Sequence, residues 1–201
     1  FTGYHLSKFL SSKGYNCIGI KSDITDFCSL KEEVMSIEPD YVIHLAAISF
    51  AAEKDTTLIY KVNTVGSTYL LDTIANLKKM PKKTIIASSA AVYGAQDKSI
   101  LQEDDLALPN SHYGCSKLSM ENLAKNYFNK FPIIITRPFN YTGIRHDKKF
   151  LIPKLINAYH SKKSSVDIGN LNVSREFNDV RDFVEMYWLL LENSSYSDTV
   201  N

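Results

Sequence analysis

A phenol and an ammonium four residues apart can act as one proton-transfer unit, and the chain holds such a pair in Tyr113-Gly114-Cys115-Ser116-Lys117. On a helix the two side chains share one face, a turn apart. A free tyrosine loses its proton near pH ~10, too high for acid–base work at neutrality. A neighbouring Lys⁺ favours the phenolate and lowers that value. The pair therefore suits the interconversion of an alcohol and a ketone. Spacing alone selects nothing: among 12 tyrosines, Tyr4/Lys8 and Tyr159/Lys163 obey the same rule and read as solvated helix faces.

Context singles out Tyr113. Upstream, Ile85-Ile86-Ala87-Ser88-Ser89-Ala90-Ala91-Val92-Tyr93-Gly94 runs off a buried strand into small residues. Small residues at a strand end let a ligand approach the backbone. A serine hydroxyl there can donate to an oxygen on which charge develops. Without Tyr113 downstream, the same stretch reads as an ordinary serine-rich turn.

The elements that must position these groups alternate. Strands are expected at Cys17–Ile20, Tyr41–Leu45, Thr84–Ala87 and Ile133–Thr136, each a near-continuous apolar run. Such runs fit a parallel sheet buried on both faces. Between them, helices are expected at Gly3–Ser12 (closed by Gly14), Ser29–Ser36, Leu58–Lys78 and Tyr113–Asn129. The alternation gives an α/β, Rossmann-like doubly wound parallel sheet. After Arg137-Pro138 the pattern loosens, with helices at Phe150–Ser161 and Asp179–Glu192. Residues 1–138 thus read as a dinucleotide-binding domain and 139–201 as a partial substrate-binding cap. Both ends look truncated, because no strand precedes the first helix and Asp198–Asn201 reads as a strand just beginning.

Composition excludes several classes. Of 201 residues, 23 are Lys or Arg and 22 Asp or Glu, a balance without the electrostatic footprint of a nucleic-acid or membrane-surface binder. Three cysteines, Cys17, Cys28 and Cys115, form no CxxC pair, so no metal site is expected and a reducing, cytoplasmic setting fits. The longest apolar stretch, around Tyr41–Ala52, is too short to span a bilayer.

Phe1-Thr2-Gly3, His44-Leu45-Ala46-Ala47, Asn63-Thr64-Val65-Gly66, Ser88–Gly94, Tyr113–Lys117 and Arg137-Pro138-Phe139-Asn140 follow one another along nearly the whole chain. In that order they resemble the extended short-chain dehydrogenases/reductases, the NAD-dependent epimerase/dehydratase family. The resemblance implies an NAD(P)-dependent enzyme whose catalytic set is Ser89, Tyr113 and Lys117, with Ser89 also touching substrate. It implies cofactor contacts from Gly3 (last glycine of the phosphate turn), Asp23 and Ile24 (adenine), Ala46, Ala47, Asn63, Ser88, Tyr113, Lys117 and Pro138. It also implies a homodimer formed through Leu58–Lys78 and Tyr113–Asn129.

Sugar 4,6-dehydratases of this kind carry an acid where this chain has Ala90-Ala91, so dehydration is not expected. The run Gly169-Asn170-Leu171, Arg175-Glu176-Phe177 and Asp179-Val180-Arg181-Asp182 looks most like the GDP-4-keto-6-deoxymannose reductases. That likeness implies a nucleotide-diphosphate sugar gripped by Arg175, with Asn140 and Lys154 as further contacts; read from charge alone, Arg175 is a surface cation beside Glu176. Lys21 stands where an acid that accepts the NAD ribose would follow the second strand. NADP(H) is therefore favoured and NAD(H) remains possible. The expected reaction is reduction of a nucleotide-linked 4-keto-hexose. A nucleotide-sugar 4-epimerase and a non-catalytic dinucleotide-binding protein are the alternatives.

Overall fold

The computed structural model describes residues 1–49, 53–169, 172, 174–193 and 197–201. In chain order its elements are α1 (Thr2–Ser12), α2 (Phe27–Ile37), β1 (Tyr41–His44), α3 (Thr56–Tyr60), α4 (Ser67–Ile74), β2 (Lys83–Ala87), α5 (His112–Lys125), β3 (Ile133–Thr136), β4 (Asn140–Thr142), α6 (Leu151–His160), β5 (Phe177–Asp179), α7 (Val180–Asn193) and β6 (Asp198–Val200). They form two compact units, Ile18–Pro138 with Leu189–Asn201, and Phe1–Cys17 with Phe139–Trp188.

The first of these units is built on four parallel strands in the order β1-β2-β3-β6. Register sets Ile85 opposite Ile134 and Ile86 opposite Ile135. Alternation then sends Ile86, Ile133 and Ile135 to one face. There they pack with Leu30 and Val34 of α2, Leu70, Leu71 and Ile74 of α4, and Met120 and Ala124 of α5. Ile85 and Ile134 are equally buried on the opposite face. Helix starts are fixed locally: Asp26, Asp55 and Ser111 accept from backbone N–H groups in the first turns of α2, α3 and α5. Lys83, almost wholly buried, donates from Nζ to the carbonyls of Leu190 (2.9 Å) and Leu191 (3.3 Å) in the last turn of α7.

Two sequence expectations need correction here. Cys17–Ile20 is not a strand: no strand among the described residues pairs with it, and Ile18 and Ile20 are exposed. Hydrophobicity alone cannot make a strand without a partner ladder. The expected helix Leu58–Lys78 is instead α3, a π-helical turn over Lys61–Gly66, and α4 ending at Ile74.

In the other unit α1 ends where Gly14 takes a positive φ of 91°, the stop read from sequence. The three-residue strands β4 and β5 pair in parallel, Asn140 opposite Phe177. Tyr141 of β4 stacks on Phe183 of α7 at 4.0 Å, and its hydroxyl lies 2.8 Å from Thr2 Oγ1 of α1. Stacked or tilted rings continue through Phe1 and His146 on one side and Tyr187 on the other.

Candidate active site

The chemistry-bearing groups of the sheet unit gather where β2 ends and α5 begins. After Ala87 the chain leaves the sheet as Ser88-Ser89 and enters a 3₁₀ turn, Ala90–Tyr93. Ser89 is extended and caps that turn, its Oγ accepting from Ala91 N at 3.1 Å. Among the described residues no acceptor takes the Ser89 hydroxyl proton. Helix α5 starts hard against the turn: a Cβ at Gly114 would lie 2.5 Å from Ala91 O and 2.9 Å from Pro109 Cβ. The glycine after Tyr113 is thus what lets the tyrosine-bearing turn close on the serine-bearing one.

Burial separates Tyr113/Lys117 from the pairs with the same spacing. Tyr4 and Tyr159 are 45 % and 81 % exposed, and Lys8 and Lys163 are exposed too. Lys117 is 3 % exposed and donates from Nζ to Ala87 O at 2.7 Å. Burial pushes its ammonium down to about 8, against the opposing pull of Glu121. It is charged at neutral pH. An ammonium has three N–H donors, and Ala87 O is the one acceptor Nζ meets among the described residues. Two donors so placed fit a ligand's hydroxyl pair. Tyr113 is half-buried, one turn before Lys117.

Beside Lys117 lies His44, held neutral at about 3 by burial and by the Lys117 charge. Ser67 Oγ donates to Asn63 O (2.6 Å), so the 2.8 Å contact from His44 Nε2 to Ser67 Oγ has the imidazole as donor. Asn63, fully buried on the π-helical turn, braces two elements. Its Oδ1 accepts from Ile48 N (2.8 Å), and its Nδ2 donates to Ile48 O (3.1 Å) and Ser116 Oγ (3.0 Å). A π turn realigns side chains by one position and recurs at functional sites. Here it ties the segment after β1 to the residue preceding Lys117.

A buried charge network behind Lys117 escaped sequence reasoning. Ser88 Oγ donates to Glu121 Oε1 at 2.5 Å, so this hydroxyl serves the network. Arg137 donates to the same carboxylate from Nε (3.0 Å) and Nη2 (2.8 Å), and from Nη1 to Tyr93 OH (2.9 Å) and Glu103 O (3.0 Å). Burial disfavours the guanidinium charge, yet the bonds to Glu121 and Tyr93 outweigh it and raise its pKa. Tyr93 OH in turn donates a hydrogen bond to Asn201 Oδ1 at 2.6 Å. The available signal was Glu121 itself, four residues past Lys117 as Lys117 is four past Tyr113.

Of the other expected cofactor residues, Lys21 is exposed and its backbone N–H donates to Glu33 (3.0 Å), as does that of Ser22 (2.8 Å). Asp23 Oδ1 accepts from Thr25 N and Oγ1. Ile24 packs so closely on the π turn that a Cβ on Gly66 would meet its Cγ2 at 2.8 Å. Ala46 is exposed and Ala47 half-buried just after β1; Pro138 O, just after β3, accepts from Ala90 N at 2.9 Å.

The remaining expected residues belong to the other unit. Gly3 lies exposed in the first turn of α1, whose start has no side-chain cap. The β4–β5 pairing joins two of the expected substrate segments: Asn140 Nδ2 donates to Glu176 O (3.2 Å), next to Arg175. Arg175 is exposed and donates from Nη1 to Ser174 O. Lys154 donates to Asp167 O and lines a cavity of about 350 Å³ with Lys148, Lys149 and Lys163, a cationic grouping the sequence reading did not foresee. Arg175 is not part of that lining. Asn170 and Leu171 fall outside the described residues. Among the described residues no His/Cys/Asp/Glu group could hold a metal ion, and no helix is long and apolar enough to cross a membrane.

Comparison with known proteins gives a consistent picture. Residues 16–201 match the family model described as GDP-mannose 4,6 dehydratase. The chain is 32% identical to GDP-6-deoxy-D-talose 4-dehydrogenase of Aggregatibacter actinomycetemcomitans, over 89% of its own length and 61% of that protein's. It is 27% identical to GDP-6-deoxy-D-mannose reductase of Pseudomonas aeruginosa, over 81% and 57%. The chain thus spans about three-fifths of these relatives. Its fold superimposes on RMD from Pseudomonas aeruginosa, solved with NADPH, with a TM-score of 0.87 at 25% identity, over 100% of this chain and 73% of that one.

Proposed function

Because the chain belongs to the GDP-mannose 4,6-dehydratase-like family of extended short-chain dehydrogenases/reductases, we propose that it is the greater part of a nicotinamide-dependent reductase of nucleotide-linked 4-keto-hexoses. The observation that carries the proposal is Lys117, a buried ammonium one turn from Tyr113 and bonded to the carbonyl that ends β2, with Ser89 two residues beyond. A bound nicotinamide supplies the hydride equivalent. Lys117 holds ribose hydroxyls with its two remaining donors and, as a cation, favours ionisation of Tyr113. Tyr113 gives its proton to the substrate oxygen, and Ser89 donates its unengaged hydroxyl to the same oxygen. Asp23, Ile24, Ala46, Ala47 and Gly3 are the proposed dinucleotide contacts, with the exposed Lys21 favouring a 2′-phosphate and hence NADPH. Asn63 and Ser88 act indirectly, since their side chains are engaged within the protein.

Arg175, Asn140 and Lys154 are the proposed contacts of the nucleotide diphosphate, and the cluster of lysines about Lys154 suits that anion. The names of both relatives join GDP to a 6-deoxyhexose, which favours a GDP-sugar. Ala90 and Ala91 offer no carboxylate to the turn beyond Ser89, which favours reduction over dehydration. Two copies are proposed to pair through the helical surface of α3, the π turn, α4 and α5.

The test is to incubate the protein with NADPH and a panel of nucleotide-4-keto sugars. Consumption of NADPH is the expected result; no consumption, with interconversion of the corresponding C4 alcohols on added NAD⁺ and no net redox change, would identify an epimerase instead. Tyr113→Phe should lower turnover by about 10²–10⁴-fold with NADPH binding intact, whereas Tyr4→Phe and Tyr159→Phe should not. Near-normal rates in Tyr113→Phe would remove the mechanism.

A further inference from the structure

We propose that Glu121 is a positioning residue of the Tyr113/Lys117 site, fixing the charge and place of Lys117 through the buried chain Arg137–Glu121–Ser88. The geometry is specific. Tyr113, Lys117 and Glu121 succeed one another at four-residue steps on α5, so the three share one helical face. Glu121 is wholly buried and bidentate to Arg137, which itself is 5 % exposed. Its second duty is to accept from Ser88 Oγ. Ser88 adjoins Ala87, whose carbonyl holds Lys117 Nζ, and precedes Ser89. One carboxylate therefore ties helix α5 to the end of β2 and to the segment after β3. It does so one helical turn beyond the ammonium.

A buried lysine with no anion nearby tends to lose its proton at neutral pH. Among the described residues, the titratable groups toward Lys117 are His44 from β1, uncharged; Tyr113 and Glu121 from α5; and, beyond Glu121, Arg137 from the segment after β3. Glu121 is the anion among them that works against desolvation of Lys117. Arg137 balances the carboxylate's charge and occupies its lone pairs away from water. A surface salt bridge could not do this, because solvent would screen it.

The geometry stands without the reductase reading, while the consequence for turnover rests on it, and two readouts separate them. The first is the titration of Lys117, followed by the ¹³Cε shift in lysine-labelled protein without cofactor and assigned by its loss in Lys117→Met. The midpoint should lie near 8. Glu121→Gln should lower it by about 1–3 units. Because a buried arginine without its carboxylate burdens folding, the second variant is Glu121→Met/Arg137→Met, which removes both charges and should also lower the midpoint. Glu121→Asp and Ser88→Ala, which keep the carboxylate, should leave it near the wild-type value. An unchanged or raised midpoint in Glu121→Gln or in the double variant overturns the proposal. The second readout is the pH profile of turnover, whose alkaline limb should move down with the midpoint. A shifted midpoint with normal turnover in Tyr113→Phe would leave this proposal standing and sink the reductase reading.

Discussion

Lys117→Met is expected to stabilise the ligand-free protein at neutral pH. Methionine keeps the length of the side chain and its packing while deleting the charge. Burial lowers the Lys117 pKa from 10.5 to about 8, so the folded protein holds this proton less tightly than the unfolded chain. At about 1.4 kcal/mol per unit, the charged lysine costs about 3 kcal/mol wherever it is protonated in both states. Losing the bond to Ala87 O gives back about 1 kcal/mol. The variant should therefore be more stable by about 2 kcal/mol at pH 7. The sign fixes the pH window. Because the folded value is depressed, the unfolded chain binds the extra proton between about pH 8 and 10.5, and wild-type stability recovers as pH rises through that range. Urea unfolding of both proteins at pH 7, 9 and 10.5 should show the gap closing and then reversing. A variant less stable at pH 7, or a gap independent of pH, would refute the reasoning.

His44, held at about 3 by burial and the Lys117 charge, gives the opposite limb. The unfolded chain takes up this proton below about 6.5, so stability falls from there toward pH 3, by about 5 kcal/mol in full. The difference in stability between wild type and His44→Gln should follow that slope, and a difference that is flat with pH would mean His44 is not buried as a neutral ring. Gly114→Ala should destabilise by about 1–3 kcal/mol in thermal unfolding, despite alanine's better helix propensity. Its methyl meets the Ala91 carbonyl, so a neutral result would show that α5 and the 3₁₀ turn do not press together.

Much of the proposed site carries local marks. Tyr113 and Lys117 have their four-residue spacing, shared with two other pairs, and stand out only through Ser88-Ser89 after the Thr84–Ala87 run upstream. Burial was not legible: Tyr4/Lys8 looks the same in sequence, and the β2 end that covers Lys117 lies thirty residues upstream. The Glu121–Arg137 pair stayed hidden for a related reason. It joins α5 to the segment after β3, and no periodicity links partners on different elements. β4 and β5 are three residues each, shorter than any periodic signal, and they pair only because Asn140 and Phe177 are brought side by side. The misjudged strand at Cys17–Ile20 shows the converse, since its apolar pattern is sound and its ladder partner is absent from the described sheet.

The Glu33 carboxylate, which accepts from two consecutive backbone amides and the Ser22 hydroxyl, has a thermodynamic consequence. Residues 21 and 22 lie in irregular chain, the kind of segment that ordinarily surrenders conformational freedom when it closes on a ligand. Here α2 has already taken that freedom through one side chain. A molecule landing on the loop meets amides that are already hydrogen-bonded, and must be recognised by what projects from them. Its association should be less opposed by entropy than docking on a free loop, a signature that calorimetry reads directly. Bonds from Ser22 Oγ and the two amides keep the carboxyl below its usual range, so the clasp persists into mild acid. The loop is therefore preorganised by a carboxylate of the neighbouring helix α2.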